Sequence, residues 1–221
     1  MAVAFDAVAS NQNSATASLT WTHTPVGTPT GVSVAAVMFD SSAGTFTADY
    51  GGTSMGAAQV TLASSQFGNT IIQIWGLSNP PPGAKVVTIA QGGANFTCTA
   101  GSTTVTGGVV SGSPFSNTAS NGNIIGASPS MSITSATGEL VIDIISMGNG
   151  ITPTATGSGQ TLRWSIAPTF DAAGSSAAGA ASYTVSYSLS GGTGCDIVGA
   201  SFAAGASVPP IVYTLMGSMS M

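Results

Sequence analysis

The sequence has very little charge. Only two of its 221 residues are basic, Lys85 and Arg163, and seven are acidic, whereas soluble domains carry roughly a quarter charged residues. Two cations are too few to form a phosphate-binding stripe, so no direct binding to nucleic acid is expected. Because apolar residues make up 43% of the chain, we predict a surface that is wetted by Ser, Thr, Asn and Gly or covered by neighbouring protein copies.

The sequence also lacks export and membrane segments. The start "MAVAFDAVAS" has no basic region and no long apolar stretch, and no run approaches the roughly 18 residues of a membrane helix. We therefore expect a protein that is made in a cytoplasm and does not associate with a membrane. Cys98 and Cys195 lie far apart in the sequence. Without an export signal, two buried thiols are favoured over a disulfide, which would need adjacent strands.

Catalytic and metal-binding constellations are also missing. The stretch "GTSMG" matches the G-x-S-x-G pattern around Ser54, but the residues after it resemble a strand where a nucleophile elbow needs a helix. The single histidine, His23, lies on the apolar face of a predicted strand and is expected to be a packed or edge residue, not a catalytic one. Glu139 and Asp143 are about 13 Å apart along one strand, too far for a glycosidase pair, and are expected to face solvent. We predict no enzymatic activity, cofactor or metal.

What the sequence does contain is a succession of short β-rich runs separated by Gly, Asn, Ser or Pro clusters. Alternation is clearest in "SATASLTWTHT", where Leu19, Trp21 and His23 share one face and hydroxyl residues the other. The pattern predicts an all-β fold, an antiparallel β-sandwich that is jelly-roll-like with extended termini. No internal repeat is clear enough to divide the chain. We predict one domain over residues 1–207 and a C-terminal extension or arm over 208–221.

Two stretches rich in small residues are predicted to be loops. Residues 111–130 are typical of a long crossover with a turn at Asn121 and Gly122. The segment "DAAGSSAAGAAS" at 171–182 is interpreted as a loop because of its glycines. The three prolines of "WGLSNPPPG" instead predict a stiff corner between two strands, without backbone donors.

The aromatic residues fall into two groups. Three tryptophans lie inside strand-like runs, so core packing is favoured over a sugar-stacking platform: Trp21, Trp75 and Trp164. Three phenylalanines fall in predicted loops, where binding residues concentrate and where they are candidates for interface contacts: Phe67, Phe115 and Phe170.

Five stretches follow one another in a recognisable order: "SATASLTWTHTPVGTPTGVSVAAVMFD", "ADYGGTSM", "IIQIWGLSNPPPGAKVVTIA", "SATGELVIDIIS" and "GCDIVGASF". Over residues 14–203 the chain resembles β-sandwich modules of phage virion structural proteins, most of all capsid decoration, or cement, proteins. The resemblance implies a protein on the capsid exterior that forms a homotrimer and clamps neighbouring subunits of the major capsid protein. It leaves open a tail-fibre, spike or adhesive carbohydrate-binding module.

The C-terminal segment is the predicted interface. Its stretch "IVYTLM" has the β-propensity of an additional strand. Such a strand could pair with the sheet edge of a neighbouring subunit or close the sandwich of its own chain. The predicted interface residues are Pro209, Pro210, Ile211, Val212, Tyr213, Leu215 and Met216.

Overall fold

The structure is a computed structural model that describes residues 1–39, 45–92, 95–108, 112–167 and 171–205. Within these ranges there is no helix, and every strand pair is antiparallel. The predicted all-β, antiparallel sandwich is confirmed. The strands are β1 Ala4–Thr16, β2 Ser18–His23, β3 Gly31–Phe39, β4 Phe46–Tyr50, β5 Thr53–Ser54, β6 Val60–Ala63, β7 Thr70–Ser78, β8 Lys85–Gln91, β9 Phe96–Thr106, β10 Phe115–Gly126, β11 Ser130–Thr134, β12 Leu140–Met147, β13 Pro153–Ala155, β14 Thr161–Ile166, β15 Asp171–Ala178, β16 Ser182–Leu189 and β17 Thr193–Phe202.

The strand order of the first half of the chain recurs in the second half. The first half forms a five-stranded sheet in the order β1-β9-β3-β7-β6 and a smaller sheet in the order β2-β8-β4-β5. The second half forms β10-β17-β12-β15-β14 and β11-β16-β13. Each strand of the second half therefore has a counterpart in the first, and only the short β5 is additional. The structure thus contains a repeat of topology, although no repeat in the sequence is clear enough to divide the chain.

The four sheets stack as four layers with three apolar cores between them. One core lies between the two sheets of the first half and contains Trp21 and Trp75. A second lies between the two five-stranded sheets and contains Trp164. The third lies between the two sheets of the second half and contains Tyr187. Because the five-stranded sheets form the inner layers, strands such as β12 are buried on both faces. The three tryptophans are all buried, as predicted.

Most of the contacts across the central core are reciprocal. Strand β3 meets its counterpart β12. Strand β1 contacts β14, and their counterparts β10 and β6 contact each other; the pairs β9–β15 and β7–β17 are related in the same way. In a two-fold symmetric interface, each contact between two elements is matched by the contact between their counterparts. The two halves of this chain are packed like the subunits of such a dimer.

The prediction that these two stretches are loops is wrong, because both form strands. Residues 111–130 contain β10, and Asn121 and Gly122 lie in that strand, beside an irregularity between Asn121 and Ile124. Phe115 is accordingly buried in β10, 4.8 Å from the ring of Phe202. The segment 171–182 contains β15, whose first seven residues are buried. Burial between two layers outweighs the low strand propensity of Gly and Ala here.

The proline stretch forms the predicted corner. It connects β7 of the five-stranded sheet to β8 of the smaller sheet. Asn79 begins the corner with a positive φ of 51°, and its backbone N–H donates to the carbonyl of Thr30 at 2.8 Å. The other phenylalanines differ from Phe115: Phe67 is half-buried in the bend between β6 and β7, and Phe170 lies outside the described residues.

Candidate functional site

His23 is part of a closed hydrogen-bond network in the first half. Its Nδ1 lies 2.7 Å from Ser102 Oγ and its Nε2 lies 3.0 Å from Thr104 Oγ1. Thr104 donates its own proton to Asp6, so it accepts from His23 Nε2–H, and Ser102 donates to Nδ1 while accepting from Trp21. Burial lowers the pKa of His23 to about 4. The imidazole is fully buried and neutral, which confirms the predicted packed histidine.

Asp143 is the centre of a second network, in the second half. Its carboxylate accepts hydrogen bonds from the Tyr187 hydroxyl and from Ser175 Oγ, and Gln160 Nε2 donates to Ser175 at 2.8 Å. Burial raises the pKa of Asp143 to about 6, and the two hydrogen bonds offset part of that rise. The prediction of a solvent-facing carboxylate was wrong, because β12 has sheets on both sides.

Glu139 does not face solvent freely either. It is half-buried, and one of its carboxylate oxygens accepts from the hydroxyls of Ser116 at 2.9 Å and Ser201 at 2.8 Å. The same oxygen also accepts from Ser135 Oγ and from the backbone N–H of Ala136, both at 3.1 Å. Glu139 therefore holds together β10, β17 and the connection before β12, which is a structural role.

Ser54 lies in a hairpin, not in a nucleophile elbow. The turn at Gly51 and Gly52, with φ of 61° and 82°, joins β4 to the two-residue strand β5 that contains Ser54. Ser54 Oγ accepts from the backbone N–H of Gly56 at 3.2 Å. Gly51 and Gly52 thus serve a tight turn, as predicted.

Among the described residues no charged side chain is more than partly exposed, although the N-terminal ammonium of Met1 is exposed. Asp40 lies outside the described residues; each of the other charged residues is buried or half-buried. Asp143, Asp171 and Asp196 are buried. Arg163 donates to Ser176 Oγ at 2.7 Å and lies 3.7 Å above the ring of Phe5. Arg163 and the acidic side chains that the structure describes therefore make hydrogen bonds within the chain.

Exposed hydroxyls dominate the two outer faces of the stack. Every second residue of an outer strand points away from the core, and in these positions the chain has mostly Ser and Thr. In the first half, Thr20 is registered with Thr88; in the second, Ser132 is registered with Thr184. The exposed hydroxyl residues are Ser18, Thr20, Thr22 and Thr47 on one outer face and Ser130, Ser132, Thr134, Thr154, Ser182, Thr184 and Ser188 on the other. The sequence contains the same regularity, which by itself predicts only strand alternation.

The remaining predicted positions are separated or fall outside the described ranges. Cys98 belongs to the core of the first half and Cys195 to that of the second, and both are free thiols. Residues 209–216, the predicted interface, lie outside the described residues. In the described part, no group of His, Cys, Asp or Glu is arranged to hold a metal ion. The same part contains no helix of the length and hydropathy of a membrane span.

Comparison with known proteins gave no match: no family model, no curated protein and no solved structure is similar to the chain.

Proposed function

We propose that this protein is a phage virion structural protein, a capsid decoration protein that oligomerises and clamps neighbouring capsid subunits. The observation that supports this proposal is a surface that carries few charges, on which the described charged side chains are at most partly exposed. A freely diffusing domain usually keeps about 25–35% charged residues on its surface, because charge prevents association. Interface cores are depleted of charge, so this surface resembles one that is covered by neighbours.

The energetics of association favour such a surface. A neighbouring subunit that covers these faces displaces water mainly from Ser and Thr hydroxyls, and Asp49 on β4 is a partly exposed ion among them. Removing an ion from solvent costs several kcal/mol, so a face with few ions is cheaper to cover. Hydroxyls also bond directly or through bridging water across an interface. Single contacts of this kind are weak. Around a shell the same contact is repeated many times, and multivalency raises the total affinity.

The arrangement of the layers fits a clamp. The two smaller sheets lie at opposite ends of the four-layer stack, and each presents its own hydroxyl face. One copy can therefore contact a neighbour on each side. The proposed partners are the major capsid protein and further copies of this chain, with a homotrimer suited to threefold positions of an icosahedral shell. The proposed location is the capsid exterior, after synthesis in the host cytoplasm.

The number of copies per particle tests this proposal. We expect purified virions to contain on the order of hundreds of copies, as quantitative mass spectrometry against the major capsid protein would show. Cryo-electron microscopy should then place the protein over the capsid lattice. A few copies at one vertex would instead identify a fibre or spike protein, the alternative that the resemblance leaves open. Absence from purified particles would overturn the proposal.

A further inference from the structure

A cavity of about 530 Å³ opens beside the outer sheet of the second half. It lies between the connection that follows β13, the turn between β15 and β16, and the first residues of β16. Its size falls within the range of small-molecule sites. None of its lining residues is charged, and most carry hydroxyls; those used below are Thr156, Ser158, Ser182, Tyr183, Thr184 and Ser186.

The wall of this cavity is held in place by a side-chain amide. Gln160 Oε1 accepts from the backbone N–H groups of Gly157 and Ser186, each at 3.0 Å. The Tyr183 hydroxyl donates to the carbonyl of Ser158 at 3.0 Å, and Thr156 N–H donates to the Ser186 carbonyl at 2.9 Å. The cavity is therefore preorganised, which lowers the entropic cost of binding.

Backbone groups of β16 form part of the cavity wall, and those of Ser186 are already hydrogen-bonded within the protein. Alternate residues of a strand direct their backbone N–H and C=O groups to the same side. Those of Ser186 point towards the connection after β13, as their hydrogen bonds show. The backbone of Thr184, two residues away, points to the same side, where β13 has already ended. The Thr184 carbonyl lies against Gly157, so the groups that can meet a ligand with donors and acceptors are the hydroxyls of Ser158, Ser182 and Thr184 in the lining.

The first half shows that the fold does not require this cavity. There the backbone N–H of Gly51 donates to Val86 at 2.8 Å, in the way that Thr156 donates to Ser186. After this shared contact the first half continues into the hairpin with β5, and the Lys85 side chain packs on Gly51, with its Cδ 2.6 Å from where a Cβ would lie. The halves therefore differ at this place, although their sheet order is the same.

From these observations we infer that the cavity binds a neutral saccharide unit, one or two sugar rings in size. Sugar hydroxyls both donate and accept, as do the Ser and Thr hydroxyls that line the site. The lack of charged lining residues disfavours phosphorylated or carboxylated ligands. This inference does not depend on the proposed function, since it concerns the purified chain whether or not it is part of a particle.

Saturation-transfer NMR on the full chain tests the inference, with glucose, galactose, N-acetylglucosamine and maltose as probes. We expect transfer from the protein to at least one of these sugars. Ser182→Trp, at the rim of the cavity, should abolish it. Ser188→Trp is the matched control. Ser188 lies on the same exposed face of β16, about 20 Å from Ser182, so this substitution should leave binding unchanged.

A milder variant keeps the test valid if Ser182→Trp fails to fold. Thr184→Val retains the shape of the side chain and removes one hydroxyl, which should weaken binding roughly three- to tenfold. Loss of binding in both tryptophan variants, full binding by Ser182→Trp, or no transfer to any neutral sugar would overturn the inference. None of these results would bear on the copy number in virions.

Discussion

The indole of Trp164 lies directly against the backbone of Gly101, which belongs to the opposite half of the chain. A Cβ atom at Gly101 would lie 2.3 Å from Trp164 Cε2. Gly174 lies on β15, the strand next to the one that contains Trp164, and a Cβ atom there would lie 2.2 Å from Trp164 Nε1. Two glycines in the middle of strands thus form the slot in which the ring sits between the five-stranded sheets. Neither glycine is explained by a positive φ; close approach is the reason for both.

Gly101→Ala should therefore destabilise the protein. The new methyl group meets a ring that is confined from both sides, and overpacking of a core costs about 1–3 kcal/mol. Urea unfolding measures the loss. Gly192→Ala is the control, because nothing lies within 4 Å of that position, and it should leave the midpoint unchanged. Equal stability of the two variants would show that the sheets separate easily and that the slot is unimportant.

A pair of asparagines should contribute equally to the two halves. Asn11 Nδ2 donates to the Thr20 carbonyl at 2.9 Å, and Asn121 Nδ2 donates to the Ser130 carbonyl at 2.8 Å. Each bond fixes the first strand of its half to the next strand. Replacing either asparagine by alanine should cost about 1 kcal/mol, and the two losses should add because the sites are far apart.

Thermal or urea unfolding of the single and double variants checks this expectation. Ser14→Ala, an exposed change on the same strand as Asn11, is the control and should have almost no effect. A double variant no less stable than the single ones would contradict the idea that the two bonds are independent counterparts.

The same asparagines show how far the repeat could be predicted from sequence. They lie in the similar stretches "ASNQN" and "ASNGN", which are too short to divide a chain by themselves. The fold class was predictable because β2 has one buried face, so Leu19, Trp21 and His23 alternate with hydroxyl residues. Strands β12 and β15 are buried on both faces, so alternation disappears. The burial of Asp143 and the small residues of β15 then follow from tertiary packing that no local pattern reports.

Asp143→Asn should stabilise the protein at neutral pH. The pKa of Asp143 is raised to about 6, from about 4 in an unfolded chain, so the native state binds this proton more tightly. The contribution of Asp143 is fully favourable below about pH 4 and is lost as the pH rises through 6. The amide of the Asp143→Asn variant cannot ionise, so the variant keeps the stability that the parent loses at neutral pH, about 2–3 kcal/mol.

Urea unfolding at pH 4 and pH 7.5 measures this difference, which should be large only at the higher pH. The pKa of His23 is lowered to about 4, so its protonation favours the unfolded state and the free energy of unfolding decreases as the pH falls below about 6.5. This pH dependence is opposite to that of Asp143. Both proteins contain His23, so its effect cancels in the comparison. A variant that is less stable than the parent at both pH values would show that the hydrogen bonds of Tyr187 and Ser175 outweigh desolvation.

Removal of residues 208–221 should dissociate the proposed oligomer. If Ile211, Val212 and Tyr213 pair with the sheet edge of a neighbouring subunit, the shortened chain loses backbone hydrogen bonds between subunits. Light scattering coupled to size-exclusion chromatography gives the mass of both forms, and a particle-binding assay gives the consequence. A shortened chain with the same mass and the same particle binding would sink the idea.

Charge placed on an outer face should separate folding from assembly. Thr20 and Thr22 are exposed on β2, so changing both to lysine should alter the free energy of unfolding by only about 0.5 kcal/mol. If this face contacts a neighbour, each ammonium must lose its hydration when the interface forms, and particle binding should fall strongly. Val26→Lys, at a loop position that is 87% exposed, is the control for added charge. If particle binding survives both lysines while the copy number stays high, the contact must lie on the other outer face. Lysine at Ser132 and Thr134 then repeats the test there. Survival of particle binding in that variant as well would exclude the hydroxyl faces as the clamp.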